Sequence, residues 1–84
     1  MELGSWNTID GKLVREMTFT NQTEAASFVL KVAIMSDEVG HHADVEMYAW
    51  RKLRLTISTH DAGGAITEKD HKWTAMVDDL IKAN

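Results

Sequence analysis

At 84 residues, 44% hydrophobic and 26% charged, the chain has material for one domain, expected to run over residues 1–84, and a core small enough to leave a thin stability margin. A net charge of −4 argues against nucleic-acid binding through phosphate neutralisation, which needs a basic face. The absence of cysteine removes disulfide, thiolate and zinc–sulfur chemistry. No apolar run nears the ~20 residues of a membrane span, and the opening MELGSWNTID lacks the layout of a secretory signal, so a cytoplasmic protein is expected.

Residues 6–10 read as a short strand closed by Asp10-Gly11, a strong hairpin signal. Residues 12–19, KLVREMTF, read as a second strand, with Leu13, Met17 and Phe19 on one face and Arg15 interrupting it. Asn21 is placed to cap a helix, and Glu24 completes a start resembling a capping box. Ala25, Phe28, Val29 and Val32 then follow helical spacing, while Leu30, Ala33 and Ile34 carry the stripe past one face. Such a helix either lies deep in a small core or covers its own sheet on one side and a neighbouring subunit on the other. Gly40 suits a left-handed C-terminal cap, which leaves His41 and His42 in a loop.

Residues 45–49 can form a third strand. RKLRLTISTH is the clearest strand in the chain. Leu53, Leu55 and Ile57 point one way, and Lys52, Arg54, Thr56, Ser58 and His60 the other. DAGGA is a loop in which Gly63-Gly64 permit a tight turn. Thr67 is placed to cap the last helix, with Asp70 at its third position and Trp73, Met76, Val77 and Leu80 as its apolar stripe. The order strand–strand–helix–strand–strand–helix favours an α+β fold, an antiparallel four-stranded sheet with two helices on one face. Lys52, Arg54 and Thr56 would lie on the other face.

Three of the four histidines fall within GHHADVEMYAWRKLRLTISTHDAGG. With Asp44 or Asp61 they could supply the ligand count of a catalytic zinc site. Adjacent histidines usually diverge, however, and neither HxxxH nor HExxH spacing occurs, so no metal is expected. Solvated histidines without a role are the plain alternative, but three of them in one loop region weigh against it. An acid/base site fits better, because imidazole gives and accepts protons near neutral pH. The nearby acids Asp37, Asp44, Asp61 and Asp70 could orient a ring or hydrogen-bond a nitrogen-rich substrate. His71, on the last helix, is expected to be solvated.

Asp37, the pair His41-His42, then Trp50 after Ala43 and six further positions, His60 after nine more, and finally Asp70 together resemble the signature of the pterin-4a-carbinolamine dehydratases. The resemblance spans nearly the whole chain: SWNTIDGKLVREMTF is similar to that family's first hairpin and TEAASFVLKVAIMSDEVGHH to its first helix. Two departures stand out. Ala43 replaces the usual proline, which leaves the loop less rigid, and the family's N-terminal helix is expected to be missing.

The resemblance implies dimers or tetramers with sheets joined across subunits. It implies dehydration of 4a-hydroxytetrahydropterin to quinonoid dihydropterin, which recycles a tetrahydrobiopterin-type cofactor, with no metal or organic cofactor of the enzyme's own. It makes His41 and His60 the acid and base, and His42 the residue that positions the pterin. Asp37 would pair with ring nitrogens, and Gly40, Ser58, Thr59 and Asp61 would line the substrate site. Trp6 either lines the pocket or sits in the core; Trp50 is expected to pack. Asp70 has a local role at the helix start and a catalytic one, and the two are compatible. Some family members also act as dimerisation cofactors for a homeodomain transcription factor. An interaction scaffold is therefore the alternative, and a different pterin-containing substrate a third reading.

Overall fold

The computed structural model describes residues 4–59 and 63–83. The elements follow in the order β1 (Asn7–Ile9), β2 (Lys12–Thr18), α1 (Gln22–Val39), β3 (Asp44–Tyr48), β4 (Lys52–Ile57) and α2 (Glu68–Ala83). All three strand pairings are antiparallel, in the sheet order β1-β2-β4-β3.

Two hairpins build the sheet, and they turn by different means. Asp10 and Gly11 have φ of 52° and 76°, the paired positive values that a tight right-twisted hairpin needs, supplied by residues that tolerate them. The β3–β4 turn places Ala49 and Trp50 at φ of 47° and 55°. Neither residue favours that region, and nothing in the sequence announces the turn. Strand pairing on both sides holds it, with Tyr48 opposite Lys52.

The register joins Leu13 to Ile57, Arg15 to Leu55 and Met17 to Leu53. Alternation then puts Leu13, Met17, Leu53, Leu55 and Ile57 on one face, where they form one cluster with Phe28 and Val32 of α1 and Trp73 and Val77 of α2. Both helices therefore cover the same face. Arg15 interrupts the apolar face as expected, yet it is buried. Asp78 of α2 accepts from Arg15 Nη1 and from Trp6 Nε1, so the interruption ties the first hairpin to α2.

The opposite face carries Lys52, Arg54 and Thr56, and Arg54 bridges Glu16 on β2 and Glu46 on β3. Val45 and Met47 of the edge strand β3 pair with Leu55 and Leu53 and so share the covered face, but they remain 43% and 37% exposed. On α1, Ala25, Phe28, Val32 and Ser36 are buried, while Leu30 and Ile34 are 61% and 51% exposed. Of the two placements the sequence left open for this helix, deep burial does not occur. Among the described residues, no helix is long and apolar enough to cross a membrane.

Candidate functional site

His41 is positioned by the way α1 ends. Gly40 adopts the left-handed conformation, φ 69°, which only glycine enters without cost. The Ser36 carbonyl accepts from the Gly40 N–H at 2.9 Å and from the His41 N–H at 3.2 Å. The Ser36 hydroxyl donates to the Val32 carbonyl at 2.8 Å and accepts from Trp73 Nε1 at 3.1 Å. Its main chain thus fixes the residue after the helix, while its side chain fastens the helix end to α2.

The imidazole then meets Asp70. His41 Nε2 lies 2.7 Å from Asp70 Oδ1, with the His41 side chain 18% exposed and that of Asp70 fully buried. The second oxygen, Oδ2, accepts from the Thr67 N–H and from the Thr59 hydroxyl, both at 2.8 Å. Thr59 and Thr67 hydroxyls are in turn 2.7 Å apart. Asp70 therefore serves the helix start with one oxygen and His41 with the other. Burial, the largest single influence, opposes its ionisation; the bonds from His41, Thr67 and Thr59 together outweigh it and hold the carboxyl below its ordinary range. An ionised carboxylate only accepts, so His41 carries a proton on Nε2 and its Nδ1 takes no part in this pair.

His42 turns to the other side, as adjacent residues do. Its Nε2 is 2.7 Å from Asp37 Oδ1 in an exposed pair. Among the described residues, no group of three or more His, Cys, Asp or Glu side chains could hold a metal ion.

Two cavities flank His41. One, of about 330 Å³, is lined by Gly40, His41, His42, Asp44, Thr59 and Lys69, with Ala43 at its edge. The other, of about 230 Å³, lies between the end of α1 and the face of α2. The structure thus brings together Gly40, His41, His42, Thr59 and Asp70 of the expected set, with Asp37 behind His42. Ser58 is half-buried at the end of β4 and is not among the residues lining either cavity. His60 and Asp61 lie outside the described residues. Thr59 and Ala65 form a bridge that brackets them in the chain.

Trp6 stands elsewhere. It packs edge-on against Trp73 at 6.0 Å between ring centroids, bonds Asp78, and lines a separate cavity with Arg15. Trp50 is 57% exposed, its ring against the Arg51 guanidinium, so the packing expected of it is not found within the chain. His71 is exposed as expected. Sequence reasoning missed Ser36 and Lys69. Ser36 continues the 25–28–32 core stripe, and a polar residue in that series was the available signal. Lys69 carried none beyond its place one residue before Asp70.

A family model described as pterin 4 alpha carbinolamine dehydratase matches residues 1–80. A Roseiflexus castenholzii protein, named provisionally as a pterin-4-alpha-carbinolamine dehydratase, is 35% identical over 95% of this chain and 84% of its own length. A Prochlorococcus marinus protein with the same provisional name is 42% identical over 90% of this chain and 77% of its own length. Among solved structures, a transcriptional coactivator/pterin dehydratase from Brucella melitensis superposes with a TM-score of 0.81 at 22% identity, covering 93% of this chain and 83% of that one. A pterin dehydratase-like protein described as a RuBisCO assembly factor in the alpha-carboxysome superposes with a TM-score of 0.71 at 17% identity, covering 95% and 89%. At these identities the structural likeness speaks for the fold.

Proposed function

The chain belongs to the pterin 4 alpha carbinolamine dehydratase family, and from that membership together with the histidine cavity we propose that it dehydrates 4a-hydroxytetrahydropterin to quinonoid dihydropterin. The observation that carries this reading is the buried His41–Asp70 pair at the wall of a cavity shared with His42 and Thr59. A surface histidine needs no fully buried carboxylate; a proton-transfer group is served by one, because the carboxylate fixes which nitrogen is free.

The reaction requires one proton delivered and one removed. The 4a-hydroxyl is a poor leaving group until protonated, and departs as water. The N5 proton is taken up, and its electron pair forms the C4a=N5 bond. His41, through Nδ1, performs one transfer, and His60 performs the other. His42 positions the pterin, with Asp37 setting its ring and offering its remaining oxygen to the pterin nitrogens. Thr59, Gly40, Ser58 and Asp61 complete the substrate site. Asp70 acts through His41. No metal or organic cofactor takes part. The reading places the protein in tetrahydrobiopterin-type cofactor recycling, in the cytoplasm, as a homodimer or homotetramer.

The test is a stopped-flow assay on 4a-hydroxytetrahydropterin with the spontaneous reaction subtracted. The wild type should accelerate dehydration, and His41→Ala should lose roughly 10²-fold in turnover. A His41→Ala/His60→Ala double variant that binds pterin and keeps wild-type turnover would overturn the assignment. An interaction scaffold for a transcription factor remains the second reading, favoured by the exposed Leu30 and Ile34 on α1. A scaffold has no use for a buried histidine–aspartate pair, and the same assay separates the two.

A further inference from the structure

The cavity between α1 and α2 has a charge character of its own. Lys69, Lys72, Trp73 and Met76 of α2 line it opposite Val39 and His41. The four α2 positions are spaced i, i+3, i+4 and i+7, so they form one face of the helix. That face presents two ammonium groups above an apolar wall. Among the described residues no carboxylate lines this cavity, although acids outnumber bases in the chain by 13 to 9. Neither lysine makes an ion pair with a described residue. The neighbouring histidine cavity differs, because Asp44 lines it and would repel an anion there. Gly40, His41 and Lys69 line both cavities, so the two share a wall at His41.

We propose that the site takes a pterin whose 6-substituent ends in an anion, a carboxylate or a phosphate, with the ring in the histidine cavity and the tail under Lys69 and Lys72. The inference rests on the pterin reading above and adds to it the class of side chain. The ring needs hydrogen-bonding partners, which His41 and His42 offer at the cavity wall, with Asp37 beside His42. The tail needs a short apolar passage and a cationic end, which Met76, Trp73 and the two lysines offer. Lysine suits the task because a point charge on a flexible stem accepts either anion without demanding one geometry.

The experiment is calorimetric titration with three probes: neutral 6-hydroxymethylpterin, its phosphate monoester, and pterin-6-carboxylate. At low salt the wild type should bind at least one anion about tenfold more tightly than the neutral alcohol, and the preference should shrink as salt is raised. Which anion gains most tells a phosphate tail from a carboxylate tail. In Lys69→Gln/Lys72→Gln the anions should fall to the affinity that the same variant shows for the alcohol. Lys82→Gln removes the same kind of charge from the far end of α2 and should leave the preference intact, which excludes a general effect of net charge. Equal affinity for all three probes, or a preference that survives the double substitution, overturns the inference and leaves the pterin reading standing. Binding of none of them overturns both.

Discussion

Asp70 is the residue on which most of the site depends, and its ionisation can be followed. An unfolded aspartate titrates at about 3.9; the folded carboxyl is held lower. A depressed folded value means the stabilisation is fully present above about pH 4 and disappears as pH falls through the folded pKa. Asp70→Asn should therefore be destabilised by about 1–3 kcal/mol at pH 7, and the gap to wild type should narrow below about pH 4. Urea denaturation at both pH values checks this. The same substitution has a chemical consequence. With the amide oxygen facing the donors Thr59 and Thr67, its NH₂ would face His41 Nε2. That nitrogen must then accept, and the ring proton moves to Nδ1. Turnover should fall by at least about 10²-fold with the fold retained, and nitrogen NMR of the imidazole should report the changed tautomer.

At the scale of elements, the two ends of α1 do different work. Its start is capped by Asn21, whose side chain accepts from the Glu24 N–H at 2.8 Å, while Glu24 reaches back to the Thr20 N–H. Asn21→Ala should cost about 1 kcal/mol. The helix of 18 residues separates this cap from His41 by about 27 Å, so turnover of the folded protein should not change. The other end is tied through Ser36 to Trp73. Trp73→Phe keeps most of the buried ring and removes the indole donor, at about 1–2 kcal/mol. Because that bond seats the turn bearing His41, turnover under the dehydratase reading should fall while the Asn21→Ala variant, of similar stability, keeps its rate. Thermal melts and the dehydration assay on both variants make the comparison.

At the scale of the molecule, two pairs of exposed apolar groups stand out. Leu30 and Ile34 share the outward side of α1, and Val45 and Met47 stand half-exposed on the helix-bearing face of the edge strand β3. Covering what remains of Leu30 and Ile34 is worth about 1 kcal/mol each, half the range for full burial. A protein this small gains proportionately from such an interface, and a two-fold dimer is the commonest form. Under the oligomer reading, Leu30→Lys/Ile34→Lys should sediment as a smaller species than wild type and melt at a lower temperature. A wild type that sediments as a monomer at micromolar concentration would refute it.

The strands and helices were legible because their signals are local. Asp10-Gly11 carries its own turn, Asn21 and Gly40 carry the caps of α1, and alternation along 53–57 fixes which residues enter the core. The pairing of β2 with β4 followed from none of these, since register between distant strands is set by which faces can be buried together. Arg15 read as a blemish in an apolar face; only the fold brings Asp78, 63 residues away, to neutralise it. The β3–β4 turn was silent because Ala49 and Trp50 are forced into positive φ by pairing on either side. The histidine site divides in the same way. The family resemblance grouped His41, His42 and Asp70 in one set, and the local pattern after Thr67 marked Asp70 as a helix-start residue. Which histidine meets Asp70 was decided by the α1 C-cap and the Ser36–Trp73 bond, which turn His41 inward and leave His42 to Asp37. A sequence records which groups are present, and the packing of α1 against α2 decides which ring meets the buried carboxylate.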